Sequence, residues 1–236
     1  MVNTCQHEAD PRILITDSMD GLSAIQDTNV KAVIWERTLD DAVLDAVHKL
    51  SDDDIETYKH HDNIGAVVGE ILESTKKSGR ANKDKTHDVY VCNYDDIDYP
   101  PALMKDIKTL SLAFKQATGC SFIETDFGRS WTTNAVEQEN SSHPHKDTQL
   151  AHRMFTVYEG REFLYMPGDF TKQEMRKILA SDNIENMRGH YNINALPRGH
   201  VILLQKGIED ETGTVPEEEN WLRNFDDLLI HASPPN

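Results

Sequence analysis

A histidine and an aspartate lie two residues apart in His145-Lys146-Asp147, and a second histidine, His231, lies near the end of the sequence. On a strand, residues i and i+2 point to the same face, so His145 and Asp147 would lie side by side. A histidine from a neighbouring strand would complete a triangle. Two imidazoles and one carboxylate on one face leave positions open on a metal ion. Non-haem Fe(II) oxygenases use this set of ligands, and a zinc hydrolase can be built from it.

The His-x-acid spacing is common by chance in this chain. With 11 His and 41 Asp+Glu in 236 residues, roughly two such triplets are expected, and the sequence has two. The triplet at 60–62 lies in a polar stretch, which indicates solvated surface. His145 and Asp147 precede a β-rich segment, and His231 follows the apolar run 228–230, where the mouth of a barrel would present a polar side chain. The alternative is a histidine that is hydrogen-bonded in the core or at its rim.

Three further side chains could serve the same site. Arg153 could orient an anionic group of a substrate, or it could pair with one of the many carboxylates. Tyr158 could line a pocket, or it could pack with its hydroxyl at the rim. Pro144 favours an extended backbone at the residue before it, so His143 and His145 would lie on the same face. His143 is then either a fourth ligand or part of the loop surface.

The elements that must position these residues change in type along the chain. The first half has helical patterns with short strands, and the second half has short β-rich runs separated by turns. Strands are predicted at 31–35, 88–93, 121–127, 153–158, 162–166, 199–204 and 227–231, and helices at 42–50, within 51–72, at 100–118 and near 171–180. This order predicts an α+β protein in one domain, 1–236, with a mainly helical part (1–119) packed on a β-sandwich or barrel (120–236).

Composition limits the class of protein. The chain has 24 Lys+Arg and 41 Asp+Glu, a net charge of −17, which repels phosphate backbones and argues against nucleic-acid binding. No apolar run approaches the roughly 18 to 20 residues that a membrane helix needs. Three cysteines without a C-x-x-C spacing fit a reducing compartment. We therefore expect a cytoplasmic protein whose partner is a small molecule, with no nucleic acid and no membrane. The sequence defines neither the substrate nor the oligomeric state.

Several short motifs recur in an order that resembles a bacterial family known as domain of unknown function 1826. They are Trp35-Glu-Arg37, Leu112-Ala-Phe114 with Thr118-Gly119, His145-x-Asp147 leading into Arg153-x-x-x-x-Tyr158, Leu196-Pro-Arg-Gly199, and Ile230-His-Ala-Ser-Pro-Pro235. The resemblance covers the chain from about residue 25 to the end. Members are often encoded beside metal-homeostasis genes, so the resemblance implies a link to zinc supply without defining a reaction.

The β-rich half also resembles, in architecture, the double-stranded β-helix of Fe(II)/2-oxoglutarate oxygenases. This resemblance implies that His145, Asp147 and His231 hold a divalent metal, with Fe(II) favoured over Zn(II). The chain departs from the pattern in two places. The interval from His145 to His231 is 86 residues, longer than is usual in those oxygenases. The five residues after His231 contain no Arg or Lys that could bind the carboxylate of 2-oxoglutarate. The co-substrate is therefore not assigned. The basic residues that could replace the missing one are Arg153, Arg161, Arg198 and Lys206.

Three hypotheses follow. The first is a non-haem Fe(II) oxygenase-type protein with a jelly-roll or cupin-like double-stranded β-helix, in which Arg153 acts in catalysis and contacts the cofactor together with Tyr158. The second is a protein of bacterial zinc homeostasis that handles metal at the same site without catalysis. The third is a metal-free fold whose residues line a binding pocket.

Overall fold

A computed structural model describes residues 10–50, 100–120, 144, 152–159, 162–205 and 229–232. The chain forms two compact units, one of residues 1–38 with 130–236 and one of residues 39–129. The strands are β1 (Ile13–Thr16), β2 (Ala32–Trp35), β3 (Arg153–Thr156), β4 (Phe163–Met166), β5 (Asn194–Leu196), β6 (Val201–Leu204) and β7 (Ile230–Ala232). The helices are α1 (Asp41–His48), α2 (Pro101–Thr118) and α3 (Lys172–Leu179), with 3₁₀ helices at Met19–Gln26 and Ile184–Met187.

The strands form two sheets, both in the first unit. The first sheet has the order β1-β2-β6-β3, and the second has the order β5-β4-β7. Only the β1–β2 pair among these is parallel, and the 3₁₀ helix Met19–Gln26 lies within that connection. The two sheets share one apolar core, made of Ala32, Ile34, Phe163, Tyr165, Leu196, Ile202, Leu204 and Leu229. We call the side of each sheet that faces this core its inner face.

Helix α3 and the second 3₁₀ helix cover the other face of the second sheet. Ile178 and Ile184 are fully buried there against Leu164 and Ile230. Thr171 starts α3 with a complete capping box, in which its hydroxyl accepts from the backbone N–H of Glu174 and the Glu174 carboxylate accepts from the backbone N–H of Thr171. The second sheet is therefore buried on both faces.

A polar cluster joins the start of β1 to the turn after β4. The Asp10 carboxylate accepts hydrogen bonds from the Arg12 side chain, the Arg12 backbone N–H and the Gly168 backbone N–H, at 2.8 to 3.0 Å. Arg12 also pairs with Asp169, at 2.6 Å. Although burial alone raises the pKa of Asp10, these hydrogen bonds and the Arg12 charge lower it to about 2.

The second unit contributes two described helices, and each has recognisable ends. Asp40 caps α1 by accepting from the backbone N–H of Ala42. Pro101 occupies the first position of α2, where the missing N–H costs nothing, and Gly119 ends the helix in a left-handed conformation at φ 67°. No helix in the described ranges is long and apolar enough to cross a membrane.

The α+β class is confirmed. Most of the predicted elements in the described ranges are present, with shifts of a few residues at their ends. They are β2, β3, β4, β6, β7, α1, α2 and α3. Sequence patterns did not indicate that β1 is a strand, nor that β1 and β2 join β6 and β3 in one sheet. The N-terminal part therefore contributes strands to the first sheet as well as helices. The predicted elements at 51–72, 88–93 and 121–127 lie outside the described residues, and the single domain stays a prediction.

Candidate functional site

Three polar residues form a row across the inner face of the second sheet. Asn194 on β5 is in register with Tyr165 on β4, and Tyr165 is in register with His231 on β7. Their residual exposures are 6%, 1% and 1%, so the row lies in the apolar core rather than at its rim. Because strands lie about 4.8 Å apart, Asn194 and His231 are separated by about 10 Å along the row.

The His231 imidazole is oriented by its own strand. Its Nδ1 lies 3.2 Å from the backbone carbonyl oxygen of Leu229. A carbonyl oxygen can only accept, so Nδ1 donates this hydrogen bond and carries the proton. In the neutral imidazole, the lone pair is then on Nε2, an atom that is fully buried. This is the tautomer that a metal-binding histidine adopts when its other nitrogen bonds to a backbone carbonyl.

Two phenylalanines hold the imidazole ring in place. The ring of Phe163 is stacked on His231 at 5.1 Å between centroids, and Phe155 lies 5.8 Å from His231. The two phenyl rings are themselves stacked at 5.0 Å. Phe155 belongs to the first sheet and Phe163 to the second, so His231 lies where the two inner faces meet.

Arg153 and Tyr158 differ in their relation to this core. Arg153 lies opposite Leu204 on β6 and shares the inner face with Phe155, because residues i and i+2 of a strand point the same way. Its side chain is partly buried. Tyr158 follows the end of β3 and is also partly buried. The roles of both residues in catalysis or cofactor binding stay predictions.

The remaining predicted ligands, His145 and Asp147, lie outside the described residues. Within the part of the chain that the structure does describe, no group of three or more His, Cys, Asp or Glu could hold a metal ion. The fit of a metal therefore depends on His231, whose donor atom, tautomer and fixed ring suit a divalent cation. His231 fits as one ligand of such a site.

Asn194 was not among the residues that the sequence singled out. Its strand is only three residues long, and Asn194 is the one polar residue in it. Tyr165 could be recognised as a pocket candidate, but packing is the commoner role of a strand tyrosine. Nothing in its immediate sequence, Ala195 and Leu196 followed by the turn at Pro197 and Gly199, marks Asn194.

Comparison with known proteins identifies the family. The family model described as "Protein of unknown function (DUF1826)" matches residues 16–236. The chain belongs to the DUF1826 family. The family predicted from the sequence motifs is thus confirmed, and no curated protein matches this DUF1826 chain. Among solved structures, it is similar to the apo structure of the Kdo hydroxylase KdoO, a non-haem Fe(II) alphaketoglutarate-dependent dioxygenase, at 11% identity. That match covers 94% of this chain and 84% of the other, with a TM-score of 0.41.

Proposed function

We propose that this DUF1826 chain is a metal-binding protein of the non-haem Fe(II) oxygenase type, with His145, Asp147 and His231 as ligands. The observation that carries the proposal is the buried His231 imidazole, whose Nδ1 donates to Leu229 and whose Nε2 carries the lone pair. Its position on the last described strand, at the junction of two facing sheets, suits a double-stranded β-helix whose interior holds a metal. When bound, the metal would supply a Lewis acid with open positions for O₂ and an organic ligand.

The residues around His231 have separate tasks in this proposal. Phe155 and Phe163 exclude water and fix the ring plane, so the imidazole is positioned before a metal arrives. The Leu229 carbonyl holds the proton on Nδ1, which keeps Nε2 available as the donor atom. Arg153, on the inner face of the first sheet, would orient an anionic group of the substrate or co-substrate.

Additional support comes from the residue before His145. Pro144 is buried, and it belongs to the same compact unit as β7. The residue directly before the first proposed ligand is therefore buried. His145 and Asp147 would then need to bring their donor atoms within about 2.0 to 2.2 Å of the point that Nε2 of His231 serves.

Metal analysis of protein purified without a polyhistidine tag tests the proposal. The purified protein is stripped with a chelator, reloaded anaerobically with Fe(II), Co(II) or Zn(II), and the metal content is measured by mass spectrometry. We expect one ion per chain, and His145→Ala, Asp147→Ala and His231→Ala should each abolish it. His60→Ala and Asp62→Ala, which alter the second His-x-acid triplet, should leave the stoichiometry unchanged.

The metal found in the protein as purified, measured before the chelator is added, separates catalysis from metal handling. Iron with O₂ consumption that His145→Ala abolishes supports the oxygenase type. Zinc without O₂ consumption supports the second hypothesis, a metal-handling protein linked to zinc homeostasis. Full metal content in the His231→Ala variant would overturn both, because neither assignment works without this ligand.

A further inference from the structure

Tyr165 is a buried phenol that the proposed function does not use. It lies on β4 directly opposite His231 on β7, and each of the two residues is 1% exposed. Residues directly opposite each other in an antiparallel pair have their Cβ atoms about 4.5 to 5.5 Å apart. Because both residues point to the inner face, the phenol and the imidazole leave the second sheet side by side.

The neighbours of His231 give Tyr165 a distinct position. Phe155 and Phe163 contact the imidazole ring, and neither has a polar side-chain atom. Strand β4 carries neither of the other two proposed ligands, and its remaining two residues belong to the core on the other face of the sheet. Tyr165 is therefore the one residue of β4 that could present a polar group to a metal at Nε2 of His231.

A phenol hydroxyl suits contact with a ligand that is bound to a metal. At neutral pH it is protonated and can donate a hydrogen bond. Since it also has two acceptor positions, it can accept from a protein group while it donates to a ligand. In a core of low dielectric constant, such a hydrogen bond is electrostatically stronger than it is in water.

We propose that Tyr165 borders an open coordination position of the metal and that its hydroxyl donates a hydrogen bond to an anionic ligand bound there. This inference rests on the proposed function, because it needs the metal that His231 would hold. It gives Tyr165 a contact with the bound ligand and none with the metal ion. Tyr165 is then a catalytic residue in addition to the three metal ligands.

Fluorine NMR tests the position of Tyr165 without any measurement of activity. Fluorotyrosine is incorporated at position 165 alone and, in a second sample, at position 191 alone, so each protein keeps a tyrosine side chain at both sites. Tyr191 packs against the core on the other face of the second sheet and is the matched control. Each stripped sample is loaded with diamagnetic Zn(II) or with paramagnetic Co(II), and the fluorine resonances are compared.

We expect Co(II) to shift and broaden the resonance at position 165 far more than the resonance at position 191. The reason is that paramagnetic effects fall steeply with distance from the ion. With Zn(II), both resonances should stay sharp. Equal effects of Co(II) at the two positions would overturn the inference.

Azide binding to the Co(II)-loaded protein tests the hydrogen bond, with the visible absorption of Co(II) as the signal. Tyr165→Phe removes the hydroxyl and keeps the ring, and Tyr191→Phe makes the same change on the other face. Tyr165→Phe should weaken azide binding about tenfold or more, the effect of losing one hydrogen bond to a charged group, while Tyr191→Phe should leave it unchanged. Unchanged azide affinity in folded Tyr165→Phe, or no azide binding to the wild type, would overturn the inference. If Tyr165→Phe does not fold, the NMR comparison decides alone.

Metal content, measured on the same samples, keeps the two proposals apart. Tyr165→Phe should retain one metal ion per chain, since the phenol contacts the ligand and not the metal. Loss of metal from this variant would make Tyr165 a metal ligand and would overturn the inference, whereas metal binding by the wild type would stand. If metal content and azide affinity are both normal in Tyr165→Phe, the inference fails alone. If the wild type holds no metal, the proposed function fails and the inference fails with it.

Discussion

Tyr165 on β4 and His231 on β7 lie directly opposite each other in an antiparallel pair, and each residue is only 1% exposed. A phenol and an imidazole therefore lie side by side next to the aliphatic and phenyl side chains of the shared core. Burying such polar groups costs free energy unless they are hydrogen-bonded. At this pair, the core departs from apolar packing, and the candidate site is centred here.

The stacking around His231 predicts a large stability loss for Phe163→Ala. Phe163 is 5% exposed and stacks on both Phe155 and His231. Its removal leaves a cavity between the sheets, and we expect the free energy of unfolding to fall by about 3 to 5 kcal/mol. Phe163→Leu, which refills most of the volume, should cost less than half as much. Urea denaturation measures both values, and a loss below about 1 kcal/mol for the alanine variant would contradict the two-sheet core.

The lowered pKa of Asp10 predicts a specific dependence of stability on pH. Its folded-state pKa is about 2 against an ordinary value of 3.8, so the folded state favours the carboxylate. This contribution to stability is fully present above about pH 5 and is lost as the pH falls through 4 toward 2. Asp10→Asn should remove most of it at pH 7 and flatten the pH profile between 5 and 2.

Asp169→Asn is the matched control for Asp10→Asn. Asp169 also contacts Arg12, but its side chain is 80% exposed, so its removal should cost less than about 1 kcal/mol. Both variants are compared by chemical denaturation at several pH values. Equal losses for the two variants would show that burial of Asp10 does not matter.

Gly21 predicts a steric effect in the connection between β1 and β2. A Cβ at this position would lie 2.1 Å from Oγ1 and 2.6 Å from Cβ of Thr16. We expect Gly21→Ala to lower the free energy of unfolding by about 1 to 3 kcal/mol through displacement of the 3₁₀ helix. Gly189→Ala, where a Cβ meets nothing within 4 Å, should be nearly neutral. Thr16→Ala should not rescue Gly21→Ala fully, because the Cβ of residue 16 remains.

The capping box of α3 predicts a smaller effect for Thr171→Ala. The Thr171 hydroxyl accepts from the backbone N–H of Glu174 at 3.3 Å, and without it that donor loses its partner at the start of the helix. The expected cost is about 1 kcal/mol, and Thr171→Ser should restore most of it. Thermal denaturation followed by circular dichroism measures the difference, and a neutral alanine variant would argue against this helix start.

The sequence was most informative where local chemistry decides the structure. Pro101 marks the start of α2 and Gly119 marks its end. The apolar run that ends at Leu204 forms a buried strand. It was least informative about β1, because Leu14 and Ile15 are exposed at 36% and 46% and therefore lack the alternation of a half-buried strand. The pairing of β1 with β2 is a tertiary contact that no local sequence pattern encodes.

The candidate site was predictable in part. His231 was singled out because an apolar run precedes it, and the structure places it in the core, while its role as a ligand stays a prediction. The row of Asn194, Tyr165 and His231 could not be predicted, since it depends on register across three strands rather than on neighbours in sequence. Register between short strands is set by tertiary packing, which a single sequence does not reveal.

The pairing of β2 with β6 has a consequence for the co-translational folding of this protein. Ala32 on β2 lies beside Leu204 on β6, so β2 is synthesised well before the strand that it pairs with. Contacts of such large sequence separation form slowly and only after β6 has emerged. The apolar segment Ala32–Trp35 therefore lacks β6 until that strand is synthesised, and chaperones that bind nascent apolar segments would contact it in that interval.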